Sequence, residues 1–337
     1  MNHPNRPATP WLDAWTDFPR ATGGPGICPL PDWGLLKISG EDATVFLQGQ
    51  STCDIQALAL GAAGCGAFCT HKGRVIANFR IARGIDGFYL LLAAELLEGV
   101  RKRLSMFVLR SRVSLAPMTG GEGMLLGLLG LETDKALENV GLAIGVDTPQ
   151  SWRDFQGGGI LRVENGTGRS LLVLDASQTQ LLENLTRHLA PLHPDAWRLR
   201  DIEAGFPLVE PATSEEFLPQ MLNLDVLGGI GFKKGCYTGQ EIVTRTHYLG
   251  QLKRRMYRFY CHADTVPAPG TLVSDTGDAE PQAVGQIVNA CRETSGKIQG
   301  LAVLALDHAE SSTLCVKESH GAVLEEPIRL YPLPMLN

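Results

Sequence analysis

The first half of the chain alternates between the hydrophobic periods of strands and helices. A short strand ending at Gly40 precedes a segment with acidic residues in its first turn and apolar residues at helical spacing. Period-two alternation then flanks the turn at residues 84–87, which predicts a β-hairpin. In chain order, the pattern predicts a strand at 33–40, a helix at 41–48, hairpin strands at 74–81 and 87–92, a helix at 95–106 and a strand at 107–115.

The section from residue 124 to residue 192 repeats this order of elements. Apolar runs again alternate with helical patterns, and the glycines at 157–159 read as a turn before a strand. Strand, hairpin and helix units in this succession favour an α+β body over a doubly wound parallel sheet. The predicted elements are an apolar strand from Met124, a helix at 133–139, strands at 160–163 and 171–174, and a helix at 178–189.

The two ends of the chain differ from this body. Residues 1–26 end in Thr-Gly-Gly-Pro-Gly and are predicted to be a flexible leader. Residues 27–250 form the predicted body, and residues 251–337 show only short apolar runs between turns, which predicts a small β-barrel. The barrel strands are expected at 257–260, 271–273, 283–289, 300–306 and 312–316.

Composition narrows the classes of function. With 337 residues, a net charge of −6 and 44% hydrophobic residues, the chain can bury an ample core and has no global basic field for nucleic acid or an anionic membrane. The N-terminus lacks the apolar stretch of a signal peptide, and no apolar run approaches the ~18–20 residues that span a bilayer. We therefore expect a cytoplasmic protein with no membrane contact.

The eight cysteines are scattered along the chain. Only Cys65 and Cys69 are close, and their spacing matches neither a C-x-x-C pair nor a cluster-ligand set. The sequence thus predicts reduced and mostly buried cysteines, with no metal site.

One glycine-rich segment, residues 228–241, contains the candidate reactive residue. Cys236 follows Lys233, Lys234 and Gly235, and a helix is predicted to begin near Gln240. Cations and a helix N-terminus both stabilise a thiolate, so Cys236 is the cysteine expected to be reactive. A glycine-rich turn with a buried cysteine is the alternative, and the residues alone leave both open.

A second segment, residues 197–207, reads as a helix that ends at Gly205 and Pro207. Trp197 at its start is either a core residue or a stacking platform for a flat heterocycle. The sequence pattern by itself leaves both roles open.

These segments resemble the YgfZ family. The signature K-G-C-Y-x-G-Q-E of that family is complete here, and the I-E-A-G-F-P segment at 202–207 and the pair Asp32-Trp33 match the same family in the same order. The resemblance extends from about Asp32 to the C-terminal region. The signature residues are Lys234, Gly235, Cys236, Tyr237, Gly239, Gln240 and Glu241.

The resemblance implies a fold like that of the glycine cleavage T-protein, an α+β fold in which two intertwined lobes surround a central folate site and a β-barrel follows. It also implies that Trp33 and Trp197 contact tetrahydrofolate or folate and that Cys236 is the functional thiol. Paired indoles suit the faces of a pterin, and cations suit the anionic tail of folate. The candidate cations are Arg198, Arg200, Lys233 and Lys234.

Family members support the assembly or maintenance of iron–sulfur enzymes, including one that thiomethylates tRNA. The resemblance therefore implies folate and transient iron–sulfur client enzymes as partners, without stable nucleic-acid binding. The T-protein carries acidic residues shortly after the glycine that matches Gly73, whereas residues 74–80 here contain none. Aminomethyl transfer is thus expected to be absent. Two alternatives remain: a folate-dependent one-carbon transferase that uses Cys236 as nucleophile, and a scaffold with a vestigial folate site.

Overall fold

The computed structural model describes residues 15–21, 24–118, 123–142, 150–164, 168–277, 282–316 and 322–330. No helix in these ranges combines the length and apolar character needed to cross a bilayer. Short 3-10 turns lie at Trp15–Asp17, Pro211–Thr213 and Pro219–Leu222. The α-helices are α1 (Ala43–Gln50), α2 (Ala94–Val108), α3 (Thr133–Asn139), α4 (Thr179–Thr186), α5 (Asp195–Glu203) and α6 (Gln240–Tyr248).

The strands form three sheets, ordered β3-β4-β5-β2-β6, β11-β1-β7-β10-β9-β8 and β17-β16-β13-β14-β15-β12-β18. In chain order they are β1 (Gly26–Pro29), β2 (Trp33–Ser39), β3 (Ala63–Cys69), β4 (Val75–Gly84), β5 (Gly87–Ala93), β6 (Ser114–Met118), β7 (Gly123–Leu129), β8 (Ser151–Phe155), β9 (Gly158–Glu164), β10 (Arg169–Asp175), β11 (Ala190–Pro191), β12 (Arg254–Cys261), β13 (Leu272–Asp275), β14 (Gln282–Arg292), β15 (Ile298–Ala305), β16 (Leu314–Val316), β17 (Ala322–Val323) and β18 (Glu325–Ile328).

The first two sheets repeat one order of elements, as the sequence pattern predicts. The series β2-α1-β3-β4-β5-α2-β6 has the same succession as β7-α3-β8-β9-β10-α4-β11. In each series the first strand ends at a glycine with positive φ, 114° at Gly40 and 113° at Gly130. A Cβ at Gly40 would overlap the carbonyl of Arg112, so glycine is required at that turn.

The predicted elements match the structure closely in most places. The hairpin of β4 and β5 is confirmed, as are the helix at 133–139 and the five C-terminal strands. The strand predicted at 107–115 is wrong over most of its length, because α2 continues to Val108 and β6 begins only at Ser114. Phe107, the apolar residue at which the predicted strand begins, is exposed on the helix.

The described part of the predicted leader is held by packing and polar contacts. The Arg20 guanidinium lies 2.9 Å from the carboxylate of Asp195, and the Trp15 ring meets His193 edge-on. Strand β1 begins at Gly26, so ordered structure starts before residue 27. Residues 1–14 and 22–23 of the leader lie outside the described residues.

The chain divides into two compact units, Met1–Phe46 with Gln56–Gly64 and Arg80–Trp197, and Leu47–Ile55 with Cys65–Phe79 and Arg198–Asn337. In the first unit, leucines of β7 and β10 pack with leucines of α4. In the second unit, the core lies on one face of the seven-stranded sheet, around Tyr257 and Phe259. The predicted barrel is present as a curled sheet, a half-barrel with β17 and β18 as its described edge strands.

A buried carboxylate joins strands of the half-barrel. Asp275 accepts hydrogen bonds from the Thr313 hydroxyl at 2.5 Å and the Gly277 N–H at 3.0 Å, and its other oxygen lies 3.0 Å from Nδ1 of His308. The Thr313 hydroxyl and His308, more than the backbone N–H, hold the pKa of Asp275 well below its usual range. The ionised carboxylate therefore stabilises the native state.

Replacing this carboxylate tests its contribution. We expect Asp275→Asn to lower the free energy of unfolding by about 2 kcal/mol at pH 7, the usual magnitude for hydrogen bonds to a charged group. Because the folded pKa is depressed, the stabilisation is complete above the unfolded pKa of about 4 and declines as the pH falls below it. Urea unfolding of both proteins at several pH values between 7 and 3 measures this. A difference that stays constant over that range would contradict the assignment.

Candidate functional site

The glycine-rich segment folds around the residues that follow α1. The Thr52 hydroxyl donates to the Gly229 carbonyl at 2.6 Å, and the Gly231 N–H donates to the Thr52 carbonyl at 2.8 Å. The same hydroxyl accepts a hydrogen bond from the Ala67 N–H at 2.9 Å. Residues 228–236 are therefore a fixed loop, called here the glycine loop, rather than a free turn.

Lys234 of the glycine loop points inward. Its Nζ donates to the carbonyls of Ser51 at 2.7 Å and Cys53 at 2.8 Å, and it lies 5.0 Å from the centroid of the Tyr237 ring. Burial lowers the pKa of the Lys234 ammonium to about 8, with the nearby Cys53 and Asp54 partly opposing this shift. The ammonium is thus bound to the protein's own backbone.

Cys236 differs from every other cysteine of the chain because it is exposed. It lies between two buried residues, Lys234 and Tyr237, so the backbone turns its side chain outward. Burial raises the pKa of the Cys53 thiol, which keeps that group protonated and unreactive. The buried thiols, all free, are Cys28, Cys53, Cys65, Cys69, Cys261, Cys291 and Cys315.

The end of the motif starts a helix at the predicted residue. Helix α6 begins at Gln240, whose side-chain oxygen accepts a hydrogen bond from the Tyr237 N–H at 3.3 Å. Gly239 before it has a φ of 86°, and a Cβ there would overlap the Thr70 carbonyl. Glu241 is exposed in the first turn of the helix, where a negative charge is favourable.

Trp197, on α5, is fully enclosed, with 1% of its surface exposed. The guanidinium of Arg169 lies 4.2 Å from its ring centroid, and a Cβ on Gly127 would come within 2.5 Å of the ring. Its faces are therefore covered as in a core position. The buried indole N–H finds no acceptor among the described residues, and a buried donor without a partner calls for a physical reason.

Trp33 is the first residue of β2 and is also buried. The guanidinium of Arg80 on β4 lies 5.8 Å from its ring centroid. Each predicted tryptophan thus pairs with a buried arginine that the sequence pattern did not identify. The signal that could have found Arg80 and Arg169 is a basic residue beside an apolar strand run, where a charge is costly unless paired.

The predicted tail-binding cations occupy different environments. Arg198 is half-buried on α5, Arg200 is exposed and donates to Glu203 at 2.7 Å, and Lys233 is exposed beside the buried Lys234. The structure places Lys234, Cys236 and Tyr237 on one loop. Their roles, like the folate contacts of Trp33 and Trp197, stay predictions.

Among the described residues, His, Cys, Asp and Glu side chains form no group of three or more that could hold a metal ion. The expectation of a metal-free protein stays a prediction.

The fold defines the class of protein. The structure of the glycine cleavage system aminomethyltransferase T from Bartonella henselae superposes with a TM-score of 0.77, covering 95% of this chain and 88% of that one at 14% identity. At this level of identity the similarity shows the fold alone. The chain therefore has the α+β fold of the T-protein, which confirms the predicted fold class.

Curated relatives show the family. The tRNA-modifying protein YgfZ of Yersinia pseudotuberculosis is 32% identical over 312 residues, covering 91% of this chain and 92% of the relative. The protein of the same name from Escherichia coli O157:H7 is 31% identical over 303 residues, covering 90% and 92%. No family model matches the chain. The chain belongs to the YgfZ family of tRNA-modifying proteins.

The exposure of Cys236 gives a direct prediction. We expect Cys236 to alkylate at neutral pH at least about 100-fold faster than the other cysteines, because buried thiols react only after local opening. Mass spectrometry of peptides after brief iodoacetamide treatment measures each site. Labelling of Cys236 no faster than that of the buried cysteines would contradict its exposed position.

Proposed function

We propose that this protein is a folate-binding accessory protein that supports the assembly or maintenance of iron–sulfur enzymes, including tRNA thiomethylation. The observation that carries the proposal is the exposed thiol of Cys236 on a loop fixed by hydrogen bonds, while all other thiols are buried. An accessible thiol can exchange with or transiently hold a partner. The relatives are named tRNA-modifying proteins, which supports the tRNA-related part of the proposal.

Two observations support folate as the ligand: the T-protein fold, and the indole N–H of Trp197, which has no hydrogen-bond acceptor among the described residues. A pterin is a flat heterocycle with polar edges, and the buried N–H of Trp197 fits a hydrogen bond to such an edge. The covered faces of the Trp197 ring favour this edge contact over the stacking that the sequence suggested. The guanidinium of Arg169 beside the indole would favour an anionic or electron-rich ligand.

The observed geometry makes the transferase alternative less favourable. Asn78 lies in the stretch that lacks carboxylates, and its amide donates to the Pro207 carbonyl at 2.7 Å and accepts from the Val209 N–H at 2.8 Å. This side chain is committed to the backbone and supplies no base for a substrate amine. Cys236 remains the nucleophile of the second candidate, a folate-dependent one-carbon transferase.

The proposal includes a cytoplasmic location. All eight cysteines are free, and free thiols persist in the reducing cytoplasm. Folate and transiently bound iron–sulfur enzymes are the proposed partners.

Trp197→Phe tests the folate contact, because phenylalanine keeps an aromatic ring and lacks the N–H. We expect tetrahydrofolate to bind about tenfold more weakly, the magnitude of one hydrogen bond, and the melting temperature to fall because the smaller ring leaves a cavity in an enclosed position. The control is Trp152→Phe, which removes an indole that donates to Asp154 at 2.8 Å and should leave affinity unchanged. Equal affinity of Trp197→Phe and wild type in a calorimetric titration would remove Trp197 from the site.

Cys236→Ser tests the functional thiol. The substitution changes little volume at an exposed site, so we expect an unchanged urea midpoint and unchanged folate binding. A deletion strain complemented with this variant should recover about one tenth or less of the iron–sulfur enzyme activity restored by wild type, because serine cannot replace a thiolate. Full complementation would leave the function resting on folate alone. Cys236-dependent turnover of a tetrahydrofolate one-carbon donor would instead favour the transferase.

A further inference from the structure

The inward direction of Lys234 is unusual for a lysine beside an exposed thiol. Lysines ordinarily keep the ammonium in water, and the neighbouring Lys233 does so. Lys234 is only 9% exposed and donates to the carbonyls of Ser51 and Cys53. The anionic tail of a bound folate would therefore contact the exposed Lys233 more easily than the buried Lys234.

The carbonyls that bind Lys234 follow the C-terminus of α1. Helix α1 ends at Gln50, and the last carbonyls of a helix lack intrahelical partners and carry partial negative charge. The Lys234 ammonium supplies donors to the turn that continues from this end. Thr52 lies between the two acceptors and is itself bonded to Gly229 and Gly231.

Gly231 makes room for the lysine stem. A Cβ on Gly231 would lie 3.0–3.1 Å from the Lys234 side chain and 3.2 Å from Asp54. Gly235, on the other side of the lysine, has nothing within 4 Å of its Cβ position. The two glycines therefore differ: a methyl group at Gly231 would crowd the side chain of Lys234, and one at Gly235 would not.

We infer that Lys234 is a positioning residue whose ammonium fastens the glycine loop to the turn after α1 and thereby presents the thiol of Cys236. The buried Tyr237 anchors the chain on the other side of the thiol. The inference rests on the proposed function only in taking Cys236 as the functional thiol; the fastening itself is independent of folate and of any client enzyme.

Two lysine variants distinguish the loss of the hydrogen bonds that hold the glycine loop from the loss of a positive charge on that loop. Lys234→Met keeps most of the stem and removes the donors, and Lys233→Met removes an adjacent charge from the same loop. The first readout is alkylation of Cys53, whose backbone carbonyl binds Lys234 and whose thiol is buried. The second is the pH dependence of Cys236 alkylation by iodoacetamide between pH 6 and 9.5.

We expect Lys234→Met to raise the labelling rate of Cys53 at least about tenfold, because losing two charged hydrogen bonds opens the loop. The midpoint of the Cys236 pH profile should stay that of wild type, since the lysine acts by position. Lys233→Met should leave Cys53 protected. Equal effects of the two variants, a Cys236 midpoint moved by Lys234→Met, or a Cys53 still protected in that variant would overturn the inference.

A glycine pair repeats the test without changing charge and remains available if Lys234→Met does not fold. Gly231→Ala should expose Cys53 because the methyl group displaces the lysine stem, and Gly235→Ala should not. Equal protection of Cys53 in both alanine variants would overturn the inference. Complementation by Cys236→Ser is measured separately. It tests the proposed function, whereas the labelling of Cys53 tests the role of Lys234, so failure of one can be told from failure of the other.

Discussion

The hydrogen bonds between the glycine loop and the turn after α1 are the constraint on which the candidate site depends. Thr52, Gly231 and Lys234 supply them, and each contact satisfies a backbone N–H or carbonyl group. Without them, a loop this rich in glycine would sample many conformations. Because they are made, Cys236 has one defined and exposed position.

The buried arginines of the body are a second constraint. Arg80 and Arg169 lie against the indoles of Trp33 and Trp197, where a cation gains from the ring quadrupole. Burying a guanidinium is costly unless its donors are satisfied. The two pairs lie on strands β4 and β10, beside both tryptophans that the family resemblance implies as folate contacts.

The fold is shared with an aminomethyltransferase, but the residues at one of its strands differ from those that the resemblance associates with that chemistry. The stretch at residues 74–80 keeps a strand but has no carboxylate, and its polar member Asn78 ties two backbone groups together. Chemistry is carried by side chains placed on a fold rather than by the fold itself. Among the eight cysteines, Cys236 is the one whose side chain is exposed.

The sequence by itself determined the order of most strands and helices and the start of the helix that follows the glycine loop, while it left open whether Cys236 is exposed or buried. Hydrophobic period, turn glycines and helix-start signals are local, so the predicted start of α6 at Gln240 and the helix at 133–139 were correct. The strand predicted at 107–115 failed because Phe107 is exposed on the last turn of α2, and the residue type alone does not show whether an apolar side chain is exposed or buried. Only the tertiary structure decided that Lys234 turns inward, since its acceptors at Ser51 and Cys53 lie 183 and 181 residues away in the chain. Only the tertiary structure likewise decided which indole each buried arginine contacts, because hydrophobic periodicity is local and does not specify which distant side chains come together.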